Sequence, residues 1–396
     1  MNDKNSSRKT KVAIIGIVGV PACYGGFESL VDNLLDFTPP DVEYTVFCSA
    51  SKYEKRLETY KGARLVYLDR DANGVSSVLY DYEGMKRAVA LGADVMLVLG
   101  VSGCLFLPRI RRRFKGKIIT NIDGLEWKRD KWKFYAKWLL RFSERQAVRH
   151  SDIIIGDNRG ITDYIKSAYK KVTAKKRVEL IAYGGDNVVR GEDDSLFAEY
   201  PYARENYAVT VCRIEPENNV HVILEAFASL EKSMENGSLV VVGNWGNSKY
   251  GKGLREMYTL VVVGNWEKSE YGRALKEKYS RYKNLHLFDP IYEGHTINWI
   301  RSHASLYVHG HSAGGTNPSL VEAMNLGLPI LAFDCVYNRA TTEEKALYWR
   351  SAEDIRRLVL ERQGEFKRVA DDMLEVGKRL YSWEKIAGLY NALWKN

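Results

Sequence analysis

Short β-branched runs alternate with amphipathic stretches along this chain, and the alternation predicts parallel sheets covered on both faces. Lys11–Val18 (KVAIIGIV) is an apolar run broken by glycine, which predicts a buried strand leading into a Gly-rich loop. Phe27–Leu35 then carries apolar residues at helical spacing. Further strands are predicted at Tyr44–Cys48, Arg64–Leu68, Val95–Leu99, Lys117–Asn121 and Asp152–Gly156, with helices at Asp81–Leu91 and Phe134–His150. A second series opens with a strand at Tyr207–Cys212 and a helix at Val220–Leu230. It continues through LVVVGNW, LHLFDP, SLYVHG and PILAF.

One hydrophobic core rarely grows past roughly 250–300 residues, so 396 residues predict two domains. The expected boundaries are 1–186 for the first α/β domain and 187–375 for the second. The acidic stretch from Gly191 to Tyr200 reads as their linker. The remainder, 376–396, contains the amphipathic segment Trp383–Trp394, expected to pack back on the first domain.

One irregularity stands out. Leu239–Tyr258 (LVVVGNWGNSKYGKGLREMY) recurs as Leu260–Tyr279 (LVVVGNWEKSEYGRALKEKY), with thirteen of twenty positions identical. Two adjacent copies are a tandem duplication, since a solenoid needs at least three repeats. One copy is expected to fill the strand–helix slot and the other to be extruded or added. The second copy is favoured, because it runs directly into the next strand at Asn284–Asp289.

Composition sharpens the picture. The 45% hydrophobic and 28% charged fractions are those of a globular protein. A net charge of +9 favours anionic partners: a phosphorylated ligand, an acidic membrane face or nucleic acid. Five cysteines are scattered singly, which argues against a disulfide framework or a zinc site. The polar start MNDKNSSRKTK shows no signal-peptide pattern, and the longest apolar stretch, Val95 to Leu107, is far short of the ~20 residues that span a bilayer. A cytoplasmic protein is therefore expected, with any membrane contact peripheral.

Five segments carry candidate chemistry. Gly16 to Glu28 follows a strand and opens a helix, and Gly19, Tyr24, Gly25, Gly26 and Glu28 form a loop where backbone N–H groups can approach an anion. A tight turn that binds nothing is the plainer alternative. The spacing is not G-x-G-x-x-G, so a dinucleotide site is a poor fit. In the second segment, His309 to Met324, a strand end leads through Gly314, Gly315, Thr316 and Asn317 to a helix start at Pro318 or Ser319. The amides of such a first turn suit a diphosphate, and Glu322, one turn in, is placed to accept from ribose hydroxyls. Third, Arg213 and Asn218 lie in R-I-E-P-E-N-N at another strand end, where Arg213 can neutralise a diphosphate. Fourth, Asp123 and Glu126 follow a strand at the position where open α/β sheets put ligands. Either is a candidate base for an acceptor hydroxyl, and a helix cap at Asp123 is the alternative.

The fifth segment, Lys128–Phe142, interleaves aromatic and basic residues: Lys131, Trp132, Lys133, Phe134, Lys137, Trp138 and Arg141. That pattern suits an interfacial helix on an anionic membrane, with Arg109–Lys117 adding charge. A core helix with a basic edge is its alternative. Asp69-Arg70-Asp71 is a D-x-D that could hold a divalent metal, but the two-domain layout and the separate helix-terminus loop weigh against this, and no metal is expected.

On these residues the chain resembles glycosyltransferase family 4, and more narrowly the bacterial rhamnosyltransferases with a Y-G-G-F-E loop. The resemblance rests on Tyr24–Glu28, the D-G-L-E-W-K run from Asp123, R-I-E-P-E-N-N from Arg213, and G-G-T-N-P-S-L-V-E-A-M from Gly314. It implies a GT-B fold, two Rossmann-like domains facing a cleft, and a donor held mainly by the second. It implies metal-independent transfer with retention, no cofactor, dTDP-rhamnose as donor, and a polyprenyl-diphosphate-linked sugar as acceptor. Many members carry two glutamates eight positions apart; here Glu322 matches the second, and Gly314 stands at the first. Three other readings remain: a UDP-hexose donor, a sugar-nucleotide epimerase, and a non-catalytic basic protein on membrane or nucleic acid. The last leaves the Gly-rich strand ends without a purpose, so nucleic acid is not expected as a partner.

Overall fold

The computed structural model describes residues 8–22, 25–128, 133–204, 206–235, 259–282, 284–289, 291 and 293–395. They form two compact units. The first comprises Met1–Gly184, Ala313–Thr316 and Trp383–Asn396, and the second Gly185–Ser312 and Asn317–Ser382.

The first unit is built on eight strands: β1 (Thr10–Ile15), β2 (Val42–Ser49), β3 (Thr59–Tyr60), β4 (Ala63–Leu68), β5 (Val95–Leu99), β6 (Lys117–Asn121), β7 (Ile153–Gly156) and β8 (Arg177–Leu180). Their order across the sheet is β3-β4-β2-β1-β5-β6-β7-β8. All pairs are parallel except β3 with β4. Every residue of β5 and β7 is buried, as expected for inner strands covered on both faces. The chain turns outward in opposite directions from β1 and β5, which makes their carboxyl ends the switch point where open sheets bind ligands. Gly16 (φ +100°) closes β1 there, and a Cβ on it would lie 2.1 Å from the Leu99 carbonyl oxygen.

The last helix, Trp383–Trp394, belongs to this unit. Trp394 Nε1 donates to the Tyr44 hydroxyl (2.8 Å), and Asn121 Nδ2 donates to the Tyr390 hydroxyl (2.8 Å). The return to the first unit falls at Trp383 and not at 376, because Phe366–Leu380 is one unbroken helix of the second unit.

Among the described residues the second unit carries six parallel strands: β9 (Tyr207–Val211), β10 (Thr259–Val263), β11 (Leu285–Phe288), β12 (Leu306–His309), β13 (Ile330–Phe333) and β14 (Leu347–Trp349). Their order is β11-β10-β9-β12-β13-β14. The second copy of the duplication supplies β10 and the helix Glu270–Tyr279. The Ser269 hydroxyl caps that helix by accepting from Gly272 N (3.0 Å). The first copy, 239–258, lies outside the described residues.

Candidate active site

In the first unit, the carboxyl ends of β1, β6 and β7 gather three acidic side chains. Glu28 stands in the first turn of helix Gly26–Asp36 and accepts from Val18 N–H at 2.7 Å. Burial raises its carboxyl above the ordinary range, the Val18 N–H opposes that, and the charge of Asp123 adds to the rise. Asp123 follows β6 with left-handed backbone (φ 60°), its N–H donating to Asn121 Oδ1 at 3.0 Å. Asp157 follows β7 and is 1% exposed. No hydrogen bond of good geometry reaches either of its carboxyl oxygens among the described residues. The N–H groups of Asp157 and Thr316 draw its carboxyl down, but burial and the Asp123 charge prevail and push it well above the usual range. Tyr183, past β8, is raised by burial and then by Asp123 and Asp157, so its phenol stays protonated.

The short segment Ala313–Thr316 also belongs to this unit. Thr316 Oγ1 donates to the Asp157 carbonyl at 2.6 Å, and Asn158 Nδ2 donates to Thr316 Oγ1 at 3.3 Å. A Cβ on Gly315 would fall 1.8 Å from Asp157 Oδ1, so only glycine fits. Gly314 (φ 128°) is packed against Gly124, on which a Cβ would lie 2.6 Å from the Gly314 Cα.

The Gly-rich loop after β1 is more self-contained than its sequence suggests. Gly19 (φ 140°) is required by packing, since a Cβ there would meet Cys48 Sγ at 2.7 Å and the Tyr53 hydroxyl at 2.9 Å. Two of the loop's amides already have acceptors, Val18 N–H on Glu28 and Ala22 N–H on Asp32 (2.9 Å). Gly25 (φ 118°) precedes the helix that Gly26 opens. Tyr24, the Glu126 side chain, Lys131 and Trp132 lie outside the described residues.

In the second unit, Arg213 follows β9 with its side chain 47% exposed, 3.9 Å from Glu215. Asn218 is buried and binds the loop together: Nδ2 donates to the Arg213 carbonyl (2.7 Å), and Oδ1 faces His311 Nδ1 (2.7 Å). Helix Pro318–Asn325 is capped by Asn317, whose side chain accepts from Ser319 N–H at 3.0 Å. That amide, expected to serve an anion, is therefore engaged by its own cap. Ser319 Oγ donates to Asn317 Oδ1 and accepts from the Tyr307 hydroxyl. Glu322 forms an ion pair with Arg301 at 2.7 Å. Beside them His309 is buried, and burial lowers its imidazole to about 3, so it stays neutral.

Asp157, Arg301 and His309 are absent from the sequence-based candidates as functional groups. Asp157 had a usable signal: like Asp123, it directly follows a buried apolar strand. Arg301 had none, because its pairing with Glu322 is created by tertiary packing.

Helix Phe134–His150 divides along its length. Its later turns bury Ser143, Glu144, Gln146, Ala147 and Val148, and Glu144 accepts from Trp127 Nε1, Tyr164 and Tyr169. Its first turns leave Phe134, Tyr135 and Trp138 exposed at 84%, 59% and 69%. Lys133 and Arg141 are exposed, Lys137 is half-buried, and the Arg141 guanidinium lies over the Trp127 ring at 5.1 Å. Helix Leu107–Arg111 packs against this helix and brings the exposed Arg109 nearby, with Arg112, Arg113 and Lys115 following.

Residues 192–347 match the family Glycosyl transferases group 1. Residues 9–186 match a domain of unknown function, DUF1972. The whole chain adopts the GT-B fold, with two Rossmann-like domains. It is similar to sucrose-phosphate synthase from Thermosynechococcus elongatus (TM-score 0.77, 15% identity, 98% of each chain). It is also similar to Anabaena HepE in complex with UDP (TM-score 0.69, 12% identity, 97% of this chain and 99% of that one). A glycosyltransferase from Rickettsia africae matches with TM-score 0.69 at 9% identity over 98% of each chain. A search of curated proteins finds no match. Arg213, Asn218, Arg301, Gly314 to Asn317, Ser319 and Glu322 all fall within residues 192–347, the stretch that matches this family.

Proposed function

We propose that this protein transfers L-rhamnose from dTDP-rhamnose to a lipid-diphosphate-linked sugar during cell-surface polysaccharide synthesis. On this reading it works without a metal, retains the anomeric configuration, and sits peripherally on the cytoplasmic face of the membrane. The observation that carries the proposal is the coincidence of chemistry and family: the half-exposed Arg213, the capped helix Pro318–Asn325 and Glu322 all lie inside the group 1 domain. The neighbours solved with UDP and with UDP-glucose support a nucleotide sugar as the donor class.

In this mechanism the Arg213 guanidinium meets the charge that grows on the leaving diphosphate, and the backbone amides of Gly314–Asn317 assist it. Preformed donors aimed at developing charge are the strongest general source of such stabilisation. Glu322 accepts from the nucleotide's pentose. The acceptor is handled by the first unit, where Asp123 orients the attacking hydroxyl and takes its proton, the leaving phosphate being the rival base. Burial and the Asp123 charge both favour the protonated form of Asp157, which lessens the negative charge beside Asp123. Attack comes from the face the leaving group departs, which gives retention without a covalent sugar–enzyme intermediate. The exposed aromatic and basic turns from Lys133 to Arg141 suit an anionic bilayer that carries the lipid acceptor.

The test is incubation of purified protein with dTDP-rhamnose and with UDP-sugars, together with a lipid-diphosphate GlcNAc or Glc analogue, read by mass spectrometry. Rhamnosylated lipid is the expected product. Hexosylated lipid from a UDP donor would replace the donor assignment. Donor turnover without acceptor would point to an epimerase. No conversion of any donor would overturn the proposal.

A further inference from the structure

Glu322 is not offered to a ligand as a bare carboxylate. Arg301, on helix Gly294–His303, places Nη1 2.7 Å from Glu322 Oε2, and the two side chains are only 9% and 17% exposed. Guanidinium is always charged and only donates, so Oε2 is held by a permanent partner. No other hydrogen bond or ion pair engages the Glu322 side chain among the described residues, which leaves Oε1 for a ligand. Removing one partner of such a near-buried pair leaves the other uncompensated, so the arrangement is strongly retained.

A ribose presents two neighbouring hydroxyls, and a free carboxylate matches them one oxygen to each. With Oε2 already turned to a guanidinium, Oε1 is the oxygen best placed to meet a pentose, and it meets one hydroxyl. A 2′-deoxyribose has one hydroxyl to give there. We infer that Arg301 is a positioning residue that holds back one Glu322 oxygen and makes the site indifferent to the 2′-hydroxyl, so that 2′-deoxynucleoside diphosphates bind as readily as ribonucleotides. This rests on the reading above that Glu322 meets the nucleotide's pentose.

The experiment compares UDP with 2′-deoxy-UDP, which differ by that hydroxyl alone, through calorimetric Kd values on the full chain. Wild-type protein binds the two within about threefold, whereas a site that bonded the 2′-hydroxyl would reject the analogue lacking it far more strongly. Arg301→Met releases Oε2 and shifts the ratio to at least about tenfold in favour of UDP. Arg301→Lys restores a donor and returns the ratio to within about threefold, which a merely structural role would not require. A wild-type preference for UDP above about tenfold overturns the inference, and that measurement needs no variant to fold. An Arg301→Met protein that binds both nucleotides with an unchanged ratio also overturns it. Glu322→Gln separates the two levels of argument. If it binds both nucleotides as tightly as wild type, Glu322 does not meet the pentose and the donor-site reading falls too. If it weakens both while the ratio ignores Arg301, this inference alone falls.

Discussion

The Asn218 amide oxygen stands 2.7 Å from Nδ1 of His311, while the amide nitrogen of the same side chain donates to the Arg213 carbonyl at 2.7 Å. An amide oxygen only accepts, so His311 carries its proton on Nδ1. One buried side chain thus fixes the course of two loops, and both contribute to the proposed donor site. Asn218→Ala removes both bonds and strands the buried His311 nitrogen, at a cost of about 1–3 kcal/mol. The expected result is a lower urea midpoint together with a raised KM for the nucleotide sugar. An unchanged midpoint would mean that water replaces the amide without loss.

Asp123 offers a clean test of the proposed base. Its φ of 60° is a conformation that asparagine tolerates and most other residues resist. Asp123→Asn therefore keeps the backbone and removes the proton acceptor. Turnover is expected to fall at least ~100-fold with little change in KM for the donor. A near-normal rate in steady-state assays would remove Asp123 from the mechanism and leave the leaving phosphate as base.

Much of this fold is legible in the amino-acid sequence. Val95–Leu99 and Lys117–Asn121 form strands with the bounds that their apolar runs predict, and Phe134–His150 and Trp383–Trp394 form helices likewise. These segments state their burial locally, through uninterrupted or periodic apolar residues. β8 was missed because its four residues, RVEL, sit half-exposed at a sheet edge and alternate charge with hydrophobicity. The site divides in the same way. Gly315 and Asp123 announce themselves through loop composition and strand ends. The Arg301–Glu322 pair, 21 residues apart in sequence, arises only when their two helices are packed together. The packing that requires glycine at position 19 is not legible for a related reason: the side chains involved, Cys48 and Tyr53, come from and just beyond a neighbouring strand.

Burial of Asp81 gives the fold a pH dependence unrelated to catalysis. Asp81 accepts from Ser102 Oγ and from Gly103 N–H, yet burial prevails over both bonds and raises its carboxyl to about 7. An unfolded chain releases that proton near 3.9. Between about pH 4 and pH 7 the folded state therefore holds a proton that the unfolded state has lost, and stability falls as pH rises through that window. Asp81→Asn should remove this contribution. Urea midpoints measured from about pH 5 to pH 8 should decline for the wild type relative to the variant. Parallel curves would show that Asp81 is ionised throughout.

The exposed turns of helix Phe134–His150 set up the last prediction, which concerns the proposed membrane surface. Phe134 and Trp138 are 84% and 69% exposed on a helix whose later turns are packed into the fold, so removing them leaves the core intact. Neighbouring basic residues should contribute about 1 kcal/mol each near an anionic surface, an attraction that salt screens, while the aromatic contribution resists salt. Sedimentation with anionic vesicles separates the two. The double variant Phe134→Ala, Trp138→Ala should lose most binding at both low and high salt. Lys133→Glu should weaken binding several-fold at low salt, with the difference shrinking as salt rises. Neutral phosphatidylcholine vesicles should bind the wild type poorly. Equal binding to neutral and anionic vesicles, or full binding by the double variant, would show that this helix does not dock on a bilayer.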